Sequence, residues 1–121
     1  MLPRPHKLSS SADFKAAMRK GVRAGSRTLM VHVHQRKDLV IQGGPRFGLV
    51  VSKQVGNAVT RHAVSRKLRS VVQRELVDKL GRSFDVVIRA LPPAAAATSD
   101  ELARDLEKAL EKALHKAQKK R

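Results

Sequence analysis

The sequence predicts an α+β domain, ordered helix, two strands, long helix, strand, helix. Three observations predict it. Apolar residues recur at helical spacing in three segments and with period two in others. Capping and turn signals separate these segments. The chain has 121 residues, 41% of them hydrophobic, which suits one domain over 1–121 with a modest core. Phe14, Phe47 and Phe84 are the only aromatics, so that core is aliphatic.

The elements follow in order. Ser10-Ser11-Ala12-Asp13 reads as a capped helix start, with Phe14, Ala17 and Met18 at helical spacing and Gly21 as the stop. From Thr28 to His34, Leu29, Val31 and Val33 alternate with Met30, His32 and His34, the pattern of a half-buried strand. Gln42-Gly43-Gly44-Pro45 reads as a turn. A second strand follows over Phe47–Lys53, and the pair is expected to form a hairpin through a loop around 36–45. A long helix is expected from Asn57, a good N-cap, to Leu80, with Gly81 ending it. Its apolar stripe is Val64, Leu68, Val71, Val72, Leu76 and Leu80, which drifts around the axis. Phe84–Arg89 reads as a buried strand, and Leu91-Pro92-Pro93 with the alanines to Ala97 as a break. Thr98-Ser99-Asp100-Glu101 is a capping box opening a last helix over 98–118, with Leu102, Leu106, Leu110 and Leu114 four residues apart. Its basic end is expected to fray.

Charge narrows the function classes. The 26 Lys+Arg against 10 Asp+Glu give a formal net charge of +16. Residues 1–70 carry 15 basic and 2 acidic side chains, and residues 71–121 carry 11 and 8. Residues 45–70 hold six basic side chains and no acid. A surface that meets phosphates explains such a window better than a need for solubility, which calls for mixed signs. With no cysteine, disulfides, thiolate metal sites and a thiol nucleophile are excluded. No apolar run spans a bilayer and no secretory stretch opens the chain, so the expected location is the cytoplasm, away from membranes. Residues 1–92 contain Asp13, Asp38, Glu75, Asp78 and Asp85 as their only acids, too scattered for two-metal hydrolysis. His32 and His34 sit at i, i+2 without an evident third ligand, so no metal site is assigned.

The informative segment is Val51 to Arg69, which runs from strand through a tight turn into a helix start. Gly56 permits close backbone approach, and the opening helix offers free N–H groups to an anion. Arg66 and Arg69 fall on the side of the helix away from Val64 and Val71, with Arg61 flanking them. Guanidinium groups bind phosphate bidentately and stack on bases.

Ser52, Lys53, Gly56, Asn57, Ala58, Val59, Arg61, Arg66 and Arg69 resemble the signature of the bacterial ribonuclease P protein component family. Leu8 to Gly21, Arg46 to Val51 and Phe84 to Ala90 are similar to further family segments in the same order, so the resemblance covers roughly residues 7 to 115. His62, Ala63, Ser65 and Gln54 depart from the pattern, and Met18 and His32 stand where aromatics are usual.

The resemblance implies a two-layer α+β sandwich, helices on a small mixed sheet, with a left-handed crossover through the long helix and a fold shared with a ribosomal protein domain. It implies a subunit of the ribonuclease P ribonucleoprotein, whose catalytic RNA subunit removes the 5′ leader of precursor tRNA. Mg²⁺ would be bound mainly by that RNA, and no obligate protein partner is implied. Lys53, Asn57, Arg61, His62, Arg66, Lys67 and Arg69 are then candidates for contact with the RNA subunit. Phe14, Lys15, Met18, His32 and Ser52 are candidates for a cleft holding the single-stranded leader. No residue of the chain is assigned a catalytic role. The residues alone leave a structural RNA-binding module, a histidine-based nuclease and a DNA-compacting protein as alternatives.

Overall fold

The structure, a computed structural model, describes residues 8, 11–35, 45–76 and 84–119. Helix α1 spans Ser11–Lys20, strands β1, β2 and β3 span Val22–Gly25, Leu29–Gln35 and Arg46–Val50, and helix α2 spans Ala58–Val71. Strand β4 spans Phe84–Ala90 and helix α3 spans Ser99–Lys119. The α+β class read from the sequence holds. The expected turn at 42–44 and the helix end at 80–81 lie outside the described residues.

The four strands form one sheet in the order β1-β2-β4-β3. Strands β1 and β2, and β2 and β4, pair antiparallel, whereas β3 and β4 pair parallel. The expected hairpin between the second and third strands is therefore absent, because β4 lies between them. Val86, Val87 and Ile88 explain it, since all three are fully buried and so face both sides of the sheet. A strand apolar on both faces belongs in the interior. The half-buried Leu49 and Val50 suit β3 to the edge. Parallel neighbours need a long crossover, and α2 supplies it. Strand β1 escapes pattern reading, because it has four residues and buries only Ala24.

The main core lies on one face of the sheet. Leu29, Val31, Val33, Phe47, Val86 and Ile88 pack there against Val64, Leu68 and Val71 of α2 and Leu102 and Leu106 of α3. The four-residue leucine spacing of α3 drifts off the core, so Ala109 and Ala113 become fully buried while Leu114 is only partly so. The expected capping box is present: Thr98 N–H donates to Glu101 Oε1 at 3.0 Å, and Glu101 N–H donates to Thr98 Oγ1 at 3.1 Å. Helix α2 gives way to a π-helical turn over Val72–Leu76 where a regular helix was expected to continue. Val71, Val72 and Leu76 are all buried across this turn. The break after β4 is a 3₁₀ turn over Pro92–Ala96, with Ala94 buried. No described helix is long and apolar enough to cross a membrane.

Helix α1 covers part of the other face, where Leu8, Ala17 and Val87 form a small second cluster with Phe14 and Val50. Two glycines permit this approach. A Cβ on Gly48 would collide with the Phe14 ring, and one on Gly21 would collide with the Ala17 and Val33 carbonyls.

An ionic clamp fixes α1 to the sheet. Arg46 Nε and Nη2 donate to the two oxygens of Asp85 at 2.8 and 2.7 Å, and Nη1 donates to Asp13 at 3.1 Å. Asp85 is 2% exposed, a buried carboxylate within β4. Its hydrogen bond raises the Arg46 pKa above the ordinary guanidinium value, outweighing burial. Arg46→Ala should cost about 3–5 kcal/mol in urea denaturation, because it strips both charge-assisted bonds from a buried carboxylate. Asp13→Asn, at the more exposed arm, should cost about 1 kcal/mol or less.

Candidate nucleic-acid interface

Two surfaces gather the candidate residues. The first is the outer side of α2 and the turn before it. Val55 anchors that turn, 5% exposed, with its N–H donating to the Ser52 carbonyl at 3.1 Å. Ser52, Lys53 and Gln54 are consequently exposed. A Cβ on Gly56 would press within 3.0 Å of Thr60 Cβ and Cγ2, so the tight entry needs glycine. Asn57 caps the helix, its Oδ1 accepting the Thr60 N–H at 2.9 Å. His62 and Arg66 are exposed, and Arg61 and Arg69 half-buried.

The basic side chains of this region divide by use. Arg46 belongs to the clamp. Lys67 stands about 100° further round α2 than Arg66, and its Nζ donates to the Ala97 carbonyl at 3.1 Å, tying α2 to the start of α3. Lys53, Arg61, Arg66 and Arg69 make no ion pair among the described residues. The Arg61 Nε is buried without a hydrogen-bond partner among them.

The second surface is the sheet face beside α1. Phe14 lies half-buried over Gly48, Lys15 is exposed, and Met18 is 38% exposed. His32 is opposite Arg23 of β1 and Val87 of β4, and Met30 is opposite Arg89. Strand alternation puts these side chains on the face opposite the main core. His32 is only 4% exposed, and neither ring nitrogen has a hydrogen-bond partner among the described residues. Burial first, then the positive fields of Arg89 and Arg23, push its pKa below the ordinary 6.5.

Asp13 and Asp85, the acids of this face, are engaged by Arg46, and no three His or acidic side chains converge among the described residues. These donors do not fit a Mg²⁺ site.

Comparison with known proteins turns this geometry into a family. A family model for ribonuclease P matches residues 2–114. The chain belongs to the ribonuclease P protein family. The ribonuclease P protein component of Corynebacterium diphtheriae is 56% identical over 110 residues, spanning 88% of this chain and 92% of that protein. That of Rhodococcus opacus is 55% identical over 111 residues, spanning 89% and 85%. The solved RNase P protein of Staphylococcus aureus matches with a TM-score of 0.75 at 26% identity, covering 88% of this chain and 93% of that one. The RNase P protein of Thermotoga maritima matches at 0.71 and 18% identity, over 85% and 93%, which shows the shared fold. The role that follows is that of the ribonuclease P protein subunit.

Within this family fold, the α2 candidates cluster as expected, with Lys67 turned to an internal bond. The cleft candidates divide. Phe14, Lys15 and Met18 lie on α1 and His32 on β2 of the sheet that α1 covers, whereas Ser52 lies beyond the end of β3, in the turn that leads to α2. The alternation puts His32 on the polar side of its strand, yet it is buried because β1 and β4 flank it. Sequence reading missed Arg23 and Arg89. The period-two spacing of Asp85, Val87 and Arg89 carried the signal for Arg89, but Arg23 needed β1.

The His32 titration midpoint, followed by imidazole NMR, should lie below 6.5. The folded state holds this proton less tightly than the unfolded chain, so stability rises with pH up to that value and falls on acidification below it. A single-stranded oligonucleotide seated beside Arg23 and Arg89 should screen their field and raise the midpoint. No response at saturation would place the strand elsewhere.

Proposed function

We propose that this chain binds the catalytic RNA of ribonuclease P through the outer face of α2 and the 5′ leader of precursor tRNA along the α1 side of the sheet. The observation that carries this reading is the set Lys53, Arg61, Arg66 and Arg69, free of ion pairs among the described residues, in a window without acids. Asn57 and His62 lie beside this set, and Lys67 braces it from behind. Phosphate contacts from such a line supply affinity and register rather than sequence reading.

In this reading the RNA subunit cleaves the phosphodiester, and Mg²⁺ rests on RNA oxygens. The protein's residues neutralise, orient and hold. Phe14 offers a ring edge to an unstacked leader base, Met18 an apolar flank and Lys15 a charge. His32 lies enclosed beneath this track, where the charge of a bound strand would reach it through the field alone, and Ser52 extends the track toward α2. The enzyme acts in the cytoplasm, away from membranes, with RNA subunit and precursor tRNA as partners and no obligate protein partner.

Precursor tRNA at low Mg²⁺ tests this. Cleavage at the mature 5′ end should require both this protein and a bacterial ribonuclease P RNA. Cleavage by the protein alone would move the chemistry onto its side chains, and no stimulation despite tight RNA binding would leave a structural RNA-binding role.

The leader contact has its own test. Phe14→Leu keeps an apolar side chain over Gly48 and removes the ring. It should weaken precursor tRNA binding about fivefold or more and leave mature tRNA binding unchanged. Equal losses for both would remove Phe14 from the leader site.

A further inference from the structure

The β1 edge of the sheet carries a third basic surface, apart from α2. Among the described residues no strand lies beyond β1. Lys116 of α3 meets that edge, and its Nζ donates to the Arg23 carbonyl at 2.9 Å. Lys112, one turn earlier and about 6 Å back along the helix axis, is exposed. Lys20 ends α1, three positions before Arg23, and is exposed too. Lys20, Arg23 and Lys112 make no ion pair among the described residues. The ammonium of Lys116 keeps two of its three donors for other acceptors.

The acids of α3 are engaged or turned away from this rim. Glu101 pairs with Arg27 and Asp105 accepts from Thr28, both near the other end of β1. Glu107 lines a small cavity with Val71 and Glu75, on the α2 side of α3. Glu111 stands about 100° round the helix from Lys112 and about 140° from Lys116. The rim therefore concentrates positive charge, which calls for a polyanion. A double helix is stiff over such short distances, whereas these cations come from three elements that meet around an edge. A single strand bends round it. Arg23 joins the rim to the sheet face beside α1: its backbone accepts from Lys116, while its side chain stands opposite His32 on that face. This continuity with the face proposed for the leader selects RNA over an acidic peptide.

We propose that the rim of Lys20, Arg23, Lys112 and Lys116 takes the phosphates of the upstream part of a long leader, where the strand leaves the α1 side of the sheet and turns over the β1 edge. The proposal deepens the leader reading argued above and rests on it. It makes precursor affinity depend on leader length, through contacts that carry no sequence information.

Lys20→Gln combined with Lys112→Gln removes two charges and leaves Arg23 and the Lys116 bond in place. Both positions are exposed, so the double variant should fold, as circular dichroism and thermal melting check. The holoenzyme, reconstituted with a bacterial ribonuclease P RNA, is titrated across a salt series with mature tRNA and with precursors carrying leaders of about four and about twelve nucleotides. The double variant should bind the long-leader precursor about tenfold more weakly, with a salt slope shallower by about 1.4. It should bind the short-leader precursor and mature tRNA as wild type does. Phe14→Leu is the comparison for the cleft and should weaken both precursors. Wild-type binding of the long-leader precursor by the double variant overturns the rim, and the cleft stands if Phe14→Leu keeps its effect. Equal losses on the two precursors, with or without a loss on mature tRNA, also overturn it, because the lysines then do not meet the upstream leader. If Phe14→Leu changes nothing, the Phe14 contact fails, and a loss confined to the long leader still upholds the rim.

Discussion

The complete burial of Val86, Val87 and Ile88 on both faces of β4 governs the arrangement of everything else. A strand with three consecutive buried side chains cannot lie at a sheet edge, so it takes an inner place between β2 and β3. That placement forbids the short hairpin between β2 and β3 and makes β3 parallel to β4. Parallel pairing requires a crossover, and the crossover is the arginine-rich helix α2. The helix packs Val64, Leu68 and Val71 on the sheet, and its remaining surface faces outward. A basic outer face is thus a consequence of strand order combined with one amphipathic stripe.

The same strand order builds the opposite face. Val87 forms the floor on which Leu8 and Ala17 pack, and Gly48 beside it admits the Phe14 ring. Asp85, two residues earlier on β4, is the anchor for Arg46, which also reaches Asp13 of α1. Few carboxylates lie near either surface, and the two beside α1 are engaged by one guanidinium. Burial first, then the fields of Arg89 and Arg23, lower the proton affinity of His32, and Lys53, Arg61, Arg66 and Arg69 remain without ion pairs among the described residues. Among the described residues, the ion pairs of Arg46 and Arg27 thus tie separate elements together.

The two candidate surfaces were unequally legible. The α2 residues belong to one continuous segment, so a 3.6-residue period sorts them into buried and outward positions, and Gly56 and Asn57 mark the start. Lys67 shows the limit: its angle is readable, but the Ala97 carbonyl that receives it comes from thirty residues away. The cleft depends on pairing. His32 looks like an exposed strand residue until Arg23 and Val87 are found on either side of it.

The sequence by itself determined the α+β class, the capped helix starts, the aliphatic core, the acid-free basic segment and the family. These depend on local periodicity, composition and a contiguous motif, all carried by neighbours in the chain. The tertiary structure alone decided that β4 separates β2 from β3, that a four-residue β1 completes the sheet, and that Asp85 is a buried anchor. It also decided that His32 is enclosed and that the end of α3 meets the β1 edge. Each of these depends on competition among distant segments for the same buried positions, and an energy balance of that kind is written in no single stretch of residues.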